Sequence, residues 1–170
     1  IWCNQCPACL NGNNNACHFL KLIGVDVDGA FAENVAVGND KVFRVPEILS
    51  LRDAALIELY SIGVHSIRKA MIEPGDRVVV LGAGRLGLSV LEVIKQTAAS
   101  WVCSVDLLEN RLEIAKRLGA DLVINAGEED PVKKILSLTD GLGVDRVIET
   151  VGTAVEMEGR EMPIQQAVRM

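Results

Sequence analysis

A short glycine-rich segment, Gly82 to Gly87, has the residue types and spacing that bind a pyrophosphate group. Its sequence, Gly-Ala-Gly-Arg-Leu-Gly, follows a short apolar, β-branched run and precedes an amphipathic helical pattern. In this G-x-G-x-x-G arrangement the first glycine allows a sharp turn, the second lets a phosphate approach the backbone, and the third lets the helix pack against the strand. The N–H groups and positive dipole end of the helix would then hold the phosphates. Taken alone, the segment is also compatible with a flavin site, a methyltransferase site or a structural turn.

An acidic residue, Asp106, follows the next apolar run, residues 101–105. A carboxylate at the carboxyl end of that strand can accept both hydroxyl groups of an adenosine ribose, and it would repel a 2′-phosphate. Strand, glycine turn, helix, strand and acid in this order predict dinucleotide binding. The acid predicts NAD rather than NADP.

Four of the five cysteines lie close together near the start of the chain, in the pattern C-x2-C-x2-C-x7-C. These are Cys3, Cys6, Cys9 and Cys17. Four thiolates at this spacing can fill a tetrahedral zinc shell and leave no position for substrate, so the metal would be structural. Two disulfides are the alternative. Cysteines with only two residues between them form a strained disulfide, and nothing else in the sequence suggests a secreted protein, in which disulfides would be expected. The sequence favours zinc, and the neighbouring His18 is expected at the surface.

The composition favours a protein that packs a core and binds a small molecule. The chain has 170 residues, 49% of them hydrophobic, and a net charge of −6. The acidic balance argues against nucleic-acid binding, no apolar stretch is long enough for a membrane span, and no signal peptide is visible. We therefore expect a cytoplasmic protein. The chain starts with Ile and stops inside a helical pattern, which we interpret as an internal piece of a longer protein.

The elements that must position these residues alternate between strands and helices. The first part of the chain predicts short β strands at residues 29–37 and 41–45, then a helix capped by Ser50 and a second helical piece at about 62–72. The remainder predicts an α/β fold, a doubly wound parallel sheet that is incomplete, with Cys103 buried in it. Its predicted strands are residues 78–81, 101–105, 122–124 and 144–148, and its last helix begins near residue 161 or 163.

Several segments in succession resemble the medium-chain, zinc-dependent alcohol dehydrogenases, above all their polyol (sorbitol-like) and threonine dehydrogenase branch. They are the cysteine loop, GAFAEN, AALIELYSIGVHSIRKA, PGDRVVVLGAGRLG and VDLLENRLEIAKRLGAD. The resemblance implies that residues 1–60 are part of a GroES-like catalytic β domain with a structural zinc lobe. It implies that residues 61–170 are part of an NAD-binding Rossmann domain.

The same resemblance implies a reaction and its partners. Members of this family oxidise an alcohol with NAD: a catalytic zinc polarises the alcohol oxygen and the hydride passes to the nicotinamide. The substrate would be a polyol, a secondary alcohol or a threonine-like molecule. The full-length protein would be a homo-oligomer, a dimer or a tetramer, without nucleic-acid or membrane partners.

Individual residues match the family's functional positions. Glu58 matches a glutamate that approaches the catalytic zinc, although the family usually has proline where this chain has Leu59, and a solvated helix-end acid is the alternative. His65 is expected to pack within the fold. The candidate cofactor-binding residues are Gly82, Gly84, Arg85, Leu86, Gly87, Asp106, Arg111, Val151 and Gly152, with Arg111 near the adenosine ribose and the last two lining the cofactor cleft.

The family's other catalytic zinc ligands precede the structural cysteine loop. We therefore expect these 170 residues to be inactive alone and a longer parent to be the enzyme. Two other interpretations stay open. One is a non-catalytic dinucleotide-binding protein, and the other is a zinc-free quinone reductase of the same superfamily, against which the four cysteines and Glu58 argue.

Overall fold

The chain forms two units, Ile1–Pro46 and Glu47–Met170, in a computed structural model that describes residues 1–152 and 161–170. The domain boundary expected near residue 60 stays a prediction. None of the helices in the described ranges combines the length and apolarity that a bilayer span requires.

The first unit contains little regular structure. It has a short helix α1 (Pro7–Leu10), two 3-10 turns (Asn14–Ala16 and Asn39–Lys41) and an isolated bridge between Ile23 and Val27. The strands predicted at residues 29–37 and 41–45 are wrong, because no ladder forms there among the described residues. An alternating pattern makes one face of a segment apolar, but a strand exists only where a second backbone accepts and donates its hydrogen bonds.

The second unit contains a four-stranded parallel sheet. Its strands are β1 (Arg77–Leu81), β2 (Trp101–Asp106), β3 (Leu122–Asn125) and β4 (Arg146–Glu149). Their order is β3-β2-β1-β4, with Val79 opposite Cys103 of β2 and Val147 of β4. This confirms the predicted incomplete doubly wound sheet. In such a sheet ligands bind where the chain order reverses at the carboxyl edge, here beside β1.

Helices cover both faces of this sheet. The helices of the second unit are α2 (Leu51–Ala54), α3 (Ile57–Ala70), α4 (Arg85–Ile94), α5 (Glu109–Arg117), α6 (Pro131–Leu138) and α7 (Pro163–Arg169). The predicted start signal at Ser50 is confirmed, since its hydroxyl accepts from the Asp53 N–H at 3.0 Å. The helix predicted to start near residue 62 begins earlier, at Ile57. The Tyr60 hydroxyl donates to the Glu92 carboxylate and ties this first turn to α4.

The core lies on both sides of the sheet, which explains why β1 is a continuous apolar run rather than an alternating one. Val78 and Val80 pack with α4 on one face, and Val79 and Leu81 pack on the other. Cys103 is fully buried on that second face, as predicted. Burial raises the pKa of its thiol to about 12, so it is packed as a small apolar residue.

Candidate functional site

The connection between β1 and α4 places the glycines as the motif requires. Gly82 has φ +95°, a left-handed backbone that favours glycine, and its N–H donates to the Val105 carbonyl at 2.7 Å. A Cβ on Gly87 would lie 1.8 Å from the Gly82 carbonyl oxygen, so this position must lack a side chain for α4 to pack on the turn. The first and third glycines are therefore required by the fold itself.

Gly84 is different, because nothing in the fold requires a glycine there. Its φ is −73°, and no heavy atom lies within 4 Å of the place where a Cβ would be. As the N-cap of α4 it offers no side-chain acceptor to the first N–H groups of the helix. Arg85 is exposed and Leu86 is half-buried in the first turn. The open backbone at Gly84 leaves room for a ligand that accepts hydrogen bonds from the amino end of α4.

Asp106 lies at the carboxyl end of β2 with its carboxylate turned towards the glycine turn. One oxygen, Oδ2, accepts from the Ala83 N–H at 2.7 Å, and Oδ1 accepts from the N–H groups of Leu107 and Leu108 at 2.8 and 3.0 Å. The Arg111 guanidinium lies 3.6 Å from Oδ2. A carboxylate offers about four acceptor positions, so three N–H donors leave one for a direct hydrogen bond to a ribose hydroxyl.

A cavity of about 320 Å³ opens beside Asp106, and its volume lies in the range of small-molecule pockets. Asp106, Arg111 and Val151 line it, whereas Gly84, Arg85, Leu86, Gly87 and Gly152 do not. Its full lining is Leu81, Gly82, Val105, Asp106, Leu107, Leu108, Arg111, Ala126, Val151, Glu161, Pro163 and Gln166. The largely apolar lining, with the acids Asp106 and Glu161 and the base Arg111, suits a planar ring attached to a polar sugar.

The segment after β4 is held in place by its own side chains. Glu149 accepts from the N–H groups of Val151 and Gly152 at 2.5 and 3.0 Å, and this bends the backbone where the two residues predicted to line the cleft lie. Thr150 directs its hydroxyl at the glycine turn, 2.8 Å from the Leu81 carbonyl oxygen. Glu149 and Thr150 belong to no recognisable sequence motif. The available signal was their place as polar residues at the carboxyl end of a strand in a parallel sheet.

The four clustered cysteines bring their sulfur atoms together in the first unit. All four Sγ atoms lie within 4.8 Å of one another, and no other described residues form such a group of potential metal ligands. Cys6 Sγ lies 3.6 Å from that of Cys9 and 3.9 Å from that of Cys17, while Cys3 and Cys9 are 4.0 Å apart. A tetrahedral zinc with bonds of about 2.3 Å has sulfur–sulfur edges of about 3.8 Å. The four sulfurs therefore fit zinc.

Backbone N–H groups donate to the sulfurs of Cys6 and Cys17 and favour the thiolate forms of these two residues. N–H groups of Cys9 and His18 lower the pKa of Cys6 to about 6. Burial opposes ionisation of Cys17, but the N–H groups of Cys3 and Phe19, each 3.3 Å from its sulfur, lower its pKa. Burial and the neighbouring thiols raise the pKa of Cys9 to about 12. A divalent cation would offset the repulsion among four thiolates. The neighbouring His18 is exposed, as predicted.

Glu58 lies in the first turn of α3 and is exposed. It joins no group of potential metal ligands within the part of the chain that the structure describes, so its assignment to a catalytic zinc stays a prediction.

His65 is also exposed, and the expectation that it packs within the fold is wrong. It lies on the solvent side of α3, because the side that faces α4 is the one that carries the buried Gly63.

Two family models match the chain. The alcohol dehydrogenase GroES-like domain matches residues 1–47, and the zinc-binding dehydrogenase model matches residues 85–159. The chain is 35% identical over 159 residues to sorbitol dehydrogenase of Bacillus subtilis (strain 168), covering 93% of the chain and 45% of the relative. It is 38% identical over 158 residues to L-threonine 3-dehydrogenase of Pyrococcus abyssi, with 93% and 45% covered.

A solved structure has the same fold along the whole chain. The alcohol dehydrogenase from Thermus sp. ATN1 superposes with a TM-score of 0.86 at 32% identity and covers 100% of this chain and 50% of its own. The chain thus spans about half the length of the relatives that it matches.

Proposed function

Because this chain belongs to the medium-chain, zinc-dependent alcohol dehydrogenase family, we propose that the whole protein is an oxidoreductase that transfers a hydride from an alcohol to NAD. The substrate class is a polyol, a secondary alcohol or a threonine-like molecule. The observation that carries the proposal is the occurrence, in one chain, of a four-sulfur cluster of tetrahedral size and a glycine turn with Asp106 beside it.

Each group of residues has a role in this proposal. Residues 1–60 contribute to the GroES-like domain, where the four cysteines hold a structural zinc, and residues 61–170 contribute to the Rossmann domain. Gly82, Gly84 and Gly87 with the first turn of α4 bind the pyrophosphate. Asp106 and Arg111 bind the adenosine ribose, and Val151 and Gly152 line the cofactor cleft. The whole protein is a cytoplasmic homo-oligomer.

The catalytic zinc of the whole protein would polarise the alcohol oxygen. Glu58 is the residue of this chain that the proposal assigns to it, and one exposed carboxylate does not by itself hold a metal. We therefore assign Glu58 to the neighbourhood of that metal and derive no step from it.

Neutralising Glu58 tests this assignment. We expect Glu58→Gln in the whole protein to lower kcat by about tenfold or more, because groups around a catalytic metal tune its affinity and reactivity. NADH affinity should not change. The measurement is the rate of NADH formation from polyols, secondary alcohols and threonine. Glu73→Gln is the control, because Glu73 is also an exposed glutamate in the second unit. Full activity of Glu58→Gln would remove Glu58 from the site.

The choice of NAD over NADP depends on the charge beside the ribose. Asp106 would repel a 2′-phosphate, whereas Arg111, 3.6 Å from its carboxylate, would attract one. The carboxylate is the more buried of the two, with 8% of its side chain exposed against 46% for Arg111, so solvent screens its charge less. The balance therefore favours NADH.

Titrating the protein with NADH and NADPH tests this balance by calorimetry. We expect NADH to bind about 100-fold more tightly, since a buried like-charge pair costs several kcal/mol. Asp106→Asn should weaken NADH much more than NADPH, so that the two affinities come within about tenfold of each other. Glu113→Gln, the same charge change at an exposed position of α5, is the control. Tighter binding of NADPH than NADH by the unsubstituted protein would refute this assignment.

A further inference from the structure

The peptide unit between Gly82 and Ala83 is held by side chains from two different strands. Its carbonyl oxygen accepts from the Thr150 hydroxyl at 3.1 Å, and its N–H donates to Asp106 Oδ2 at 2.7 Å. Thr150 follows β4 and Asp106 ends β2, so the two strands beside β1 hold opposite sides of one peptide. We call this pair of hydrogen bonds the peptide clamp.

The clamp acts at the point where the glycine turn has most freedom. Gly82 has no Cβ to limit its backbone, and its φ of +95° is one of several conformations that glycine adopts readily. The orientation of the peptide after it decides where Gly84 and the first N–H groups of α4 point. A single hydrogen bond on one side would still let the peptide rotate, whereas bonds on both sides fix its plane.

Thr150 also lies against the third glycine. A Cβ on Gly87 would lie 2.8 Å from Thr150 Oγ1, and a Cβ on Gly82 would lie at the same distance from that oxygen. One hydroxyl therefore packs between the first and last glycines of the turn. Any larger or displaced group at Thr150 would change the distance between β1 and the amino end of α4.

The hydroxyl is not needed to join β4 to β1. The two strands pair from Val78–Arg146 to Leu81–Glu149, and the Thr150 N–H donates to the Leu81 carbonyl at 2.9 Å. The hydroxyl shares its single proton between the carbonyls of Leu81 and Gly82. Its removal would leave the ladder in place and free one side of the clamped peptide.

We propose that Thr150 is a positioning residue for dinucleotide binding, which it promotes by holding the Gly82–Ala83 peptide in the orientation that presents Gly84 and α4 to the pyrophosphate. This inference rests on the proposed binding of NADH. It gives Asp106 a second role, since the same carboxylate that faces the ribose also holds the other side of the peptide.

The test compares Thr150→Val with Thr150→Ser. Valine puts a methyl group where the hydroxyl lies 2.8 and 3.1 Å from two carbonyl oxygens, and carbon–oxygen contacts need about 3.3 Å, so the peptide must move. Serine keeps the hydroxyl. The control is Thr97→Val, because Thr97 is also half-buried and donates to a backbone carbonyl, that of Ile94, at the other end of α4.

Two readouts separate the clamp from a general loss of stability: NADH affinity by calorimetry, and hydrogen exchange of the Ala83 amide by NMR without cofactor. We expect Thr150→Val to weaken NADH by about tenfold and to speed Ala83 exchange by a similar factor. Thr150→Ser should behave as the unsubstituted protein does, and Thr97→Val should leave both readouts unchanged.

The outcomes distinguish this inference from the proposed function. NADH binding that Thr150→Val leaves unchanged would overturn the clamp alone, as would a Thr150→Ser variant as weak as the valine variant. A Thr97→Val variant that binds as poorly as Thr150→Val would also overturn it, because the effect would then be general. A failure of the unsubstituted protein to bind NADH would overturn the proposed function, and the role of Thr150 in cofactor binding with it.

Discussion

Replacing Gly84 by alanine is expected to weaken NADH binding about 100-fold while the free energy of unfolding stays within about 1 kcal/mol of its original value. A Cβ at this position meets no protein atom within 4 Å, and φ −73° suits any residue, so the fold tolerates alanine. The new methyl group would occupy the space through which we expect the pyrophosphate to reach the backbone. Calorimetry with NADH and urea unfolding measure the two quantities separately.

Gly87→Ala is the matched variant, because it should lower both the NADH affinity and the free energy of unfolding. Its Cβ would lie 1.8 Å from the Gly82 carbonyl oxygen and 2.8 Å from Thr150 Oγ1. Relief of that overlap requires α4 to move away from the turn, and overpacking of this kind costs about 1–3 kcal/mol. We expect lower stability together with weaker NADH binding. If Gly84→Ala bound NADH normally, the open space at Gly84 would be ordinary solvent-exposed surface and the pyrophosphate site would have to lie elsewhere.

Removal of the metal, or of one of its ligands, is expected to unfold the first unit. Among the described residues of Ile1–Pro46, Cys6 and Cys17 are the buried ones, while large apolar side chains such as Phe31 and Phe43 are exposed. The unit therefore has almost no apolar core, and zinc bound to four thiolates would supply the folding free energy that a core normally provides. Cys17→Ser should weaken zinc binding by more than about 100-fold.

Zinc content by elemental analysis and amide exchange by NMR measure this effect. The N–H groups of Cys6 and Phe19, each 3.3 Å from a cysteine sulfur, should exchange slowly with zinc and quickly in Cys17→Ser or after chelation. Cys103→Ala is the control, since it removes the one cysteine outside the cluster and should retain the zinc content of the unsubstituted protein. A Cys17→Ser protein with normal zinc content, or continued protection after chelation, would contradict a structural role for the metal.

Features that depend on residues close together in the chain can be predicted from the sequence. A glycine turn needs its strand before it and its helix after it, and all three lie within one short stretch. The cysteine cluster likewise closes within one loop, and the structure brings those four sulfurs together. Ser50, whose hydroxyl accepts from the Asp53 N–H, was predictable as a helix cap for the same reason.

Features that depend on pairing between distant segments become visible only in the folded protein. Hydrophobic periodicity predicted strands at residues 29–37 and 41–45. A hydrophobic pattern does not supply a partner strand, and no strand pairs with these segments among the described residues. Thr150 meets the glycine turn only because the parallel register sets Leu81 opposite Glu149, and Asp106 meets Ala83 only because β2 lies beside β1. Spacing along a chain fixes which groups a single turn can hold, whereas register between strands fixes which groups from separate segments come within hydrogen-bond distance.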